Sequence, residues 1–467
     1  MLFSSIPFLY YFLPAVVLLY FIAPKALKNF VLLAFSLVFY AWGEPKYVFL
    51  MLASITLGYV LGLLIERFHG KVWAKIFLAL SLISSLGFLA YFKYADFFIS
   101  NFNAATGLSV PLLKIALPVG ISFYTFQILS YTIDVYRGEV KAQRNFINLA
   151  AYIALFPQLI AGPIVRYSTI AEQLDYRTHS IERVALGARR FILGLGKKIL
   201  IADVLAEFCA SFGASDDKSV VFFWAYAIAY SMQIYFDFSG YSDMAIGLGK
   251  AFGFDFLVNF NYPFISGSIT EFWRRWHMSL GTWFRDYVYI PLGGNRVGKL
   301  RGLFNIFVVW MLTGFWHGAS WNFVFWGLYF AILLLIEKVF LLKYLKKMKV
   351  LNHVYVIFLI LISFVIFNST EGLDQLFGTV GGLFGAGGIP FISTETIYYL
   401  RSYGVVFLLG LIGSTPLIKM AVTKVQEKKI GERVLNTIEP VVLIGLLLVM
   451  TAYLVDGSFS PFLYFRF

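Results

Sequence analysis

The chain contains 467 residues, of which 60% are hydrophobic and only 13% are charged. Soluble domains usually carry about 25% charged residues, so this composition excludes a soluble globular protein, a disordered chain and a secreted disulfide scaffold. Cys209 is the single cysteine, so an internal disulfide and a cysteine-based zinc site are excluded. The net charge is +13, and in membrane proteins such an excess of basic residues usually lies in the cytoplasmic loops.

Apolar runs along the chain predict membrane helices, and we expect about eleven to thirteen of them to cross the bilayer, because some are short or re-entrant. The runs are 6–22, 27–42, 47–65, 76–98, 113–136, 147–164, 191–212, 220–235, 303–316, 323–336, 354–367, 397–412 and 440–454. The first run has no basic residue before Lys25, so we interpret it as a retained span and not as a signal peptide. The predicted fold is an all-α polytopic membrane protein, with one integral-membrane domain over residues 1–467.

Basic residues predict the orientation of the helices, because cytoplasmic loops carry an excess of lysine and arginine. Four basic clusters are assigned to the cytoplasmic side: 67–75, 137–144, 338–349 and 419–433. The loops 101–111 and 368–396 are poor in basic residues and are assigned to the outside. We therefore expect the N-terminus to lie outside, and the segment 456–467 to end outside or to dip back at the outer face.

The first of two polar stretches is 233–301, where Asp237 and Asp243 directly follow an apolar run. Polar side chains are costly in lipid, so this stretch is not a lipid-facing span. It is either a cytoplasmic loop with interfacial helices or re-entrant structure that lines a water-filled cavity. Asp237, Asp243 and Asp286 are interpreted as structural groups and not as catalytic acids.

Within this stretch, Ser268-Ile-Thr-Glu271 matches the capping-box pattern and predicts the start of a helix. If this helix continues without a break, His277 lies on the same face as two aromatic residues, because these residues lie four and seven positions away from it. That face comprises Trp273, His277, Leu280 and Phe284, and the adjacent face comprises Arg274, Met278, Gly281 and Arg285. His277 is interpreted either as a packing residue or as a reactive one.

Three arginines of the same helix, Arg274, Arg275 and Arg285, are available to bind anions. The alternative is that they snorkel from an interfacial amphipathic helix, with their aliphatic stems on apolar surface. Arg275 lies four residues after Glu271, so we expect these two side chains to form an ion pair.

The second polar stretch, 312–322, ends an apolar run with His317. Gly314 and Gly318 remove side-chain bulk near the imidazole, which leaves room either for a ligand or for a close helix crossing. Asn322 follows within reach. We interpret His317 as a functional residue and, with His277, as a candidate general base, because the unperturbed pKa of histidine is about 6.5.

Several other chemistries have no motif in the sequence. A G-x-S-x-G elbow is absent, which argues against a serine hydrolase. An H-E-x-x-H pair and a P-loop are also absent, which argues against an intramembrane zinc protease and against ATP-driven transport within this chain. We therefore predict no bound metal or cofactor.

At these residues the chain resembles the membrane-bound O-acyltransferase (MBOAT) family, and within it the bacterial alginate O-acetyltransferase branch. The segments that carry the resemblance are 235–250, 259–265, 271–296 and 312–328, with support from 117–139, 156–168 and 462–467. The likeness is densest over residues 117–328. It implies many membrane helices and re-entrant segments around a central tunnel.

The resemblance also implies an activity and assigns two histidines. The family transfers an acyl group, here expected to be acetyl, from a cytoplasmic thioester such as acetyl-coenzyme A or an acyl carrier protein. The acceptor is a hydroxyl of an extracytoplasmic polysaccharide or of a partner protein. The family's key histidine in the Trp-His-Gly motif matches His317, and its second polar position matches His277.

The resemblance further implies the partners and the location of the protein. We expect an extracytoplasmic SGNH-type acetyltransferase as a separate protein, because the predicted outward loop 368–396 is too short to hold one. The expected location is the bacterial cytoplasmic membrane, with no nucleic-acid partner. The candidate substrate-binding residues are Asn322, Trp316, Trp273, Arg274, Arg275, Arg285 and Ser279.

Three alternatives stay open at this point. The first is D-alanyl transfer to teichoic acid, because the D-alanyl transferases share a similar central motif. The second is a transporter or flippase of an acylated or lipid-linked sugar, which needs no thioester. The third is a scaffold for an outer-face acyltransferase, in which substitution of His277 or His317 removes the complex and not the turnover.

Overall fold

The computed structural model describes residues 1–160, 162–370 and 372–456, and within these ranges all regular secondary structure is helical. This confirms the all-α prediction. The closing segment 457–467, which contains the predicted aromatic motif 462–467, lies outside the described residues. The chain divides into two compact units, Met1–Phe191 with Met244–Leu257, and Ile192–Asp243 with Val258–Phe467.

The first unit is built mainly from the helices at the beginning of the chain. They are α1 (Leu13–Ile22), α2 (Lys28–Gly43), α3 (Tyr47–Arg67), α4 (Val72–Leu89), α5 (Ala95–Thr106), α6 (Ile121–Arg137), α7 (Phe146–Ala154), α8 (Phe156–Leu159) and α9 (Tyr167–Asp175). Helix α6 is buried along nearly its whole length and packs against α3 and α4. The approach to α3 is close, because a Cβ at Gly62 would lie 2.8 Å from the Tyr131 hydroxyl oxygen.

The next three helices are α10 (Ile181–Gly196), α11 (Val204–Ala214) and α12 (Val220–Ala251). Helix α12 extends sixteen residues beyond the predicted end of its apolar run at Tyr235. Its polar continuation is buried in protein, with Asp237 2% exposed. An ion pair with Lys198 offsets the desolvation cost of burying the Asp237 carboxylate, with 2.9 Å between Lys198 Nζ and Asp237 Oδ1.

The second unit contains the remaining helices. They are α13 (Ile269–Arg275), α14 (Met278–Phe284), α15 (Lys299–His317), α16 (Trp321–Ile336), α17 (Leu342–Leu345), α18 (Leu351–Asn368), α19 (Leu373–Leu383), α20 (Thr394–Ser402), α21 (Gly404–Gly413), α22 (Leu417–Gln426) and α23 (Lys429–Val455). Helices α15 and α16 form a tightly packed antiparallel pair, and α16 also packs against α18. Aromatic side chains fill the space between these helices and α13.

Short π-helical and 3-10 segments connect several helices. The π-helical segments are Phe8–Phe12, Ala90–Tyr94, Lys197–Asp203, Arg285–Tyr289 and Glu337–Leu341, and the 3-10 segments are Lys25–Leu27 and Pro263–Ile265. The predicted run 147–164 is not one straight helix, because α7 ends before Leu155 and α8 begins with Phe156-Pro157. Proline fits the first turn of a helix but cannot continue a preceding one.

Among the described residues, six helices are long and apolar enough to cross a membrane. They are Lys25–Gly43, Tyr47–Arg67, Val72–Thr106, Trp321–Leu345, Leu351–Asn368 and Lys429–Val455. Helices α20 and α21, which meet at a bend of 57°, form either a broken span or a re-entrant loop. Each of these lies on a predicted apolar run, and the other runs fall on shorter or more polar helices, so the chain is a multi-pass membrane protein.

Candidate active site

The candidate site lies on a hairpin of two short helices, α13 and α14. As predicted, a helix starts after Ser268, whose side chain accepts a hydrogen bond from the Glu271 backbone N–H at 3.0 Å. The predicted continuous helix over 273–284 is wrong, because Trp276 is extended and His277 has φ 44° and ψ 53°. We call residues 269–289 the active-site hairpin, and His277 lies at its tip.

Backbone pairing explains how the chain tolerates this break. The carbonyl oxygen of Asn259 accepts the Met278 N–H, and the Asn261 N–H donates to the carbonyl oxygen of Arg275, both at 2.9 Å. These two hydrogen bonds hold the backbone on either side of His277. A left-handed conformation is unusual for a residue other than glycine, and here the flanking contacts determine it.

The active-site hairpin enters and leaves at the same end of α16. At its start, Glu337 Oε1 accepts the Ile269 backbone N–H at 2.7 Å. At its end, the Tyr289 hydroxyl and Lys338 Nζ both donate to Asn295 Oδ1, at 2.7 and 2.9 Å. Its tip reaches the far end of the α15–α16 pair, since Trp316 contacts His277. This course along the α15–α16 pair is the one expected of a re-entrant segment, and the water-filled cavity stays a prediction.

His277 is 2% exposed and lies among aromatic rings. Its ring centroid is 4.7 Å from that of Phe238, 6.1 Å from Trp316 and 6.5 Å from Phe260. The expected aromatic wall is therefore present, but other elements supply it, because the break turns His277 away from the predicted helix face. Its Nδ1 atom lies 3.2 Å from Asn259 Oδ1.

His317 ends α15 and is also buried. Its ring centroid lies 5.0 Å from Trp326, 5.2 Å from Phe367 and 5.0 Å from Trp316. The indole of Trp316 thus contacts both predicted catalytic histidines. The structure therefore brings the two histidines, 40 positions apart in sequence, to one aromatic cluster.

The glycines near His317 serve the close helix crossing. A Cβ at Gly314 would collide with the Phe323 carbonyl oxygen and lie 2.9 Å from the Gly327 Cα. A Cβ at Gly318 would overlap the Phe323 ring. These two glycines therefore allow a close crossing of α15 and α16. They do not leave room for a ligand, because α16 fills the space beside them.

Asn322 lies in the first turn of α16, close to the same cluster. Its Nδ2 donates to the Phe367 carbonyl oxygen at 2.7 Å, and the Phe367 ring contacts His317. Its Oδ1 atom is buried and has no hydrogen-bond partner among the described residues. A buried acceptor without a partner is costly, so this oxygen is available to a bound group.

The predicted arginines have separate environments. Arg275 pairs with Glu271 at 2.8 Å, as expected, and Arg285 pairs with Asp286 at 2.6 Å. Burial raises the pKa of Glu271, but hydrogen bonds from Gly267 and Arg275 outweigh it, so the pKa is lowered overall. Arg274 is exposed.

Two other candidate residues, Trp273 and Ser279, contact the segments that surround the hairpin. The Trp273 ring packs against Trp310, Trp326 and Phe330, with centroids 4.8, 5.4 and 4.8 Å away. Ser279 Oγ donates to Asn259 Oδ1 at 2.9 Å. Both contacts fix the hairpin against its neighbours.

The carboxylates of α12 form ion pairs away from the histidines. The Asp243 carboxylate lies 2.6 Å from Lys197 Nζ. The Asp237 carboxylate pairs with Lys198, and Lys198 Nζ also lies 2.6 Å from the Asp203 carboxylate. This is consistent with structural roles for these aspartates. Among the described residues, no cluster of three or more His, Cys, Asp or Glu side chains is placed to hold a metal ion.

Sequence reasoning missed Asn259 and Glu337 as site residues. Asn259 lies inside a motif that was recognised, but its contact to His277 spans 18 positions. Glu337 lies between the apolar run 323–336 and the basic cluster 338–349, and neither pattern predicts a helix cap there. The charge of Glu337 at the end of an apolar run was the one feature that could have drawn attention to it.

Residues 73–369, well over half of the chain, match the membrane-bound O-acyltransferase family, MBOAT, and the chain belongs to this family. A probable alginate O-acetylase of Azotobacter vinelandii is 43% identical over 393 residues, covering 83% of this chain and 79% of that protein. The peptidoglycan O-acetyltransferase of Helicobacter pylori is 38% identical over 375 residues, covering 73% and 71%. A teichoic acid D-alanyltransferase of Bacillus subtilis is 32% identical over 228 residues, covering 46% and 58%.

These relatives confirm the resemblance and make the protein an O-acyltransferase of the O-acetyltransferase kind. All three carry names of transferases, which argues against the transporter and scaffold alternatives.

Proposed function

We propose that the protein transfers an acetyl group from a cytoplasmic thioester to a hydroxyl on the outer side of the membrane. The acceptor is a polysaccharide or a partner protein. The observation that carries this proposal is the cluster in which the Trp316 indole contacts both His277 and His317. The similarity to an alginate and a peptidoglycan O-acetyl-transferring protein supports acetyl as the transferred group.

His317 acts as the general base in this proposal. It takes the proton of the acceptor hydroxyl while the hydroxyl oxygen attacks the thioester carbonyl carbon. The new C–O bond forms, the C–S bond breaks, and the proton passes from the imidazole to the departing thiolate. General base catalysis contributes roughly 10²–10⁴-fold to a rate. His277 is the second catalytic histidine, and Asn322 Oδ1 is available to bind substrate.

The basic end of the hairpin supports a cytoplasmic donor. Lys338 and the lysines that follow it lie where the active-site hairpin enters, and Arg274 is exposed further along α13, towards the tip. Such a surface attracts the phosphates of coenzyme A or an acidic acyl carrier protein. By the positive-inside rule this end faces the cytoplasm. The same rule, applied to the basic cluster 67–75, predicts an N-terminus on the outer side of the inner membrane.

An extracytoplasmic SGNH-type acetyltransferase completes the proposed system. It receives the acetyl group or acts on the same polymer at the outer surface. D-alanyl transfer to teichoic acid is the second candidate function, supported by the 32% identity to the Bacillus subtilis protein. That relative matches less than half of this chain, so we place acetyl transfer first.

The test is thioester turnover by the full chain in nanodiscs. Radiolabelled acetyl-coenzyme A is supplied with a hydroxyl acceptor or the partner protein, and wild type is compared with His317→Ala. His69→Ala is the matched control, because His69 is exposed in a loop. We expect label transfer in wild type and His69→Ala, and its loss in a folded His317→Ala.

Retained transfer by a folded His317→Ala would refute His317 as the base. If wild type transfers no label from coenzyme A, the same assay with acetyl- and D-alanyl-loaded carrier protein decides between the donors. Transfer of D-alanine alone would favour the second candidate function.

A further inference from the structure

The Nε2 atom of His277 is buried and accepts or donates no hydrogen bond among the described residues. Buried polar atoms without a partner are rare in folded proteins, and each one calls for a physical explanation. Which chemical group can bind this atom depends on where the ring carries its hydrogen.

The orientation of the Asn259 amide decides that question. Asn259 Oδ1 lies 3.1 Å from the backbone nitrogen of Ser279, and a backbone N–H can only donate. The atom is therefore the amide oxygen. On the other side, Nδ2 donates to Ser242 Oγ at 3.1 Å. The two contacts together fix the amide without reference to the histidine.

His277 Nδ1 faces this fixed oxygen at 3.2 Å. An amide oxygen only accepts, so Nδ1 must carry the hydrogen. Ser279 Oγ, the other neighbour of Nδ1, is 3.5 Å away and directs its hydrogen to Asn259 Oδ1 at 2.9 Å. A neutral imidazole has one N–H, so Nε2 then carries a lone pair and is an acceptor.

The surroundings of the ring favour the neutral form. Its described contacts are the rings of Phe238, Phe260 and Trp316 and the Asn259 and Ser279 side chains, with no carboxylate among them. A buried imidazolium without a counter-charge is strongly unfavourable. His277 is thus a neutral ring with a fixed tautomer.

We propose that Asn259 is a positioning residue that holds His277 in its Nδ1–H tautomer, and that Nε2 accepts a hydrogen bond from an N–H or O–H group of bound substrate. This inference rests on the proposed function. It excludes His277 as a donor to the thioester carbonyl oxygen, because a lone pair and a carbonyl oxygen repel. It gives His277 a role distinct from that of His317.

Two parts of the substrates carry a suitable hydrogen. One is a hydroxyl of the acceptor, other than the one His317 deprotonates, because one hydrogen cannot serve both rings. The other is the amide N–H beside the sulfur in the thiol arm that coenzyme A and acyl carrier proteins share. The chemistry at Nε2 is the same for both.

The tautomer is tested by nitrogen-15 NMR of the full chain in nanodiscs, with labelled histidine. The chain has five histidines, and the His277 signals are those that vanish in His277→Phe. We expect a protonated Nδ1 and an unprotonated Nε2. A proton on Nε2, or an imidazolium ring, would overturn the proposal. The wild-type spectrum decides this even if no Asn259 variant folds, and it does not depend on acetyl transfer.

The substrate contact is tested by steady-state kinetics of Asn259→Leu. Asn436→Leu is the matched control, because Asn436 is an exposed asparagine in α23, outside the site. We expect about a tenfold rise in one KM for Asn259→Leu, the size expected when one hydrogen bond is lost, and no change for the control. A rise in the acceptor KM assigns the hydroxyl, and a rise in the acetyl-coenzyme A KM assigns the thiol-arm amide.

A lower kcat with both KM values unchanged, in a folded Asn259→Leu, would overturn the substrate contact. Failure of the proposed function gives a different pattern, since wild type then transfers no acetyl group while the tautomer measurement still stands.

Discussion

The carboxylate of Glu337 caps the helix that begins at Ile269. Its Oε1 accepts the Ile269 backbone N–H at 2.7 Å, and its Oε2 accepts the Thr270 N–H at 2.8 Å. The side chain is fully buried, and a negative charge at a helix N-terminus is stabilising. Because α13 leads straight to the tip of the active-site hairpin, this cap couples the position of His277 to the end of α16.

Removing the caps of α13 should therefore impair activity more than stability. Glu337→Ala leaves two buried N–H groups without an acceptor, and Ser268→Ala removes a third contact worth about 1 kcal/mol. We expect a lower unfolding temperature and a disproportionate loss of turnover per folded molecule. Thermal unfolding and thioester turnover in nanodiscs measure the two effects. Ser268→Asp keeps a cap and should stay close to wild type.

The control for Glu337→Ala is Glu432→Ala, because Glu432 is an exposed acid in the first turn of α23. Equal turnover per folded molecule in Glu337→Ala and Glu432→Ala would show that the cap does not position the hairpin.

The crossing of α15 and α16 should not tolerate a single added methyl group at Gly314. The new Cβ meets the backbone of α16, which cannot rotate away as a side chain would. We expect Gly314→Ala to cost about 1–3 kcal/mol and to displace His317, three residues further on. Gly445→Ala is the matched control, since in the described part of the chain no atom outside its own stretch of helix backbone lies within 4 Å of a Cβ at this position. Unfolding temperatures of the two variants should differ clearly, and similar values would contradict the close crossing.

The ion pairs of Lys198 should matter for folding and not for chemistry. Lys198→Met leaves the buried carboxylates of Asp237 and Asp203 without their shared cation, and removing one partner of a buried ion pair typically costs about 3–5 kcal/mol. We expect low yield of folded protein but near-normal turnover per folded molecule. The double variant Lys198→Met with Asp237→Leu also removes one of these two carboxylates and should recover part of the yield. Selective loss of turnover in folded Asp237→Ala would instead make Asp237 a catalytic residue.

Neighbouring arginines should respond differently to the same substitution. Arg274 is exposed, so Arg274→Ala should raise the KM for acetyl-coenzyme A at unchanged unfolding temperature, with a smaller effect at high salt. Arg275 is held by Glu271 and by the Asn261 carbonyl oxygen, so Arg275→Ala should lower the unfolding temperature. Donor KM at two ionic strengths and thermal unfolding separate these outcomes. Identical profiles would remove Arg274 as a donor-binding residue.

Features that depend on local spacing could be predicted from the sequence. The Ser268 cap, the Glu271–Arg275 pair and the apolar helices follow from residues within one or two turns of each other. The family motifs also predict His277 and His317 as the two candidate catalytic histidines, and the structure brings them to one aromatic cluster. The helix start at Ser268 was therefore foreseeable without any tertiary contact.

Features that depend on distant contacts could not be predicted. The weakest helix former between Trp273 and Phe284 is Gly281, which lies inside α14 and not at the break. The break at His277 is imposed by backbone pairing with the segment 259–261. The same holds for Lys198, a charge inside an apolar run that pairs with an aspartate 39 positions away. Local patterns cannot reveal a partner that only the folded bundle supplies.

The active-site hairpin depends on helices that the ribosome makes after it. Its entry is capped by Glu337, its Trp276 ring packs against Phe364, and its tip contacts Trp316. Each half of the hairpin is only about 10 Å long, too short to cross a bilayer alone. The two half-helices cannot make all of these contacts until the chain has been synthesised as far as α18. Assembly of the candidate site is therefore a late event in membrane insertion, and a chain truncated before α18 would carry both histidines without the contacts that hold the hairpin.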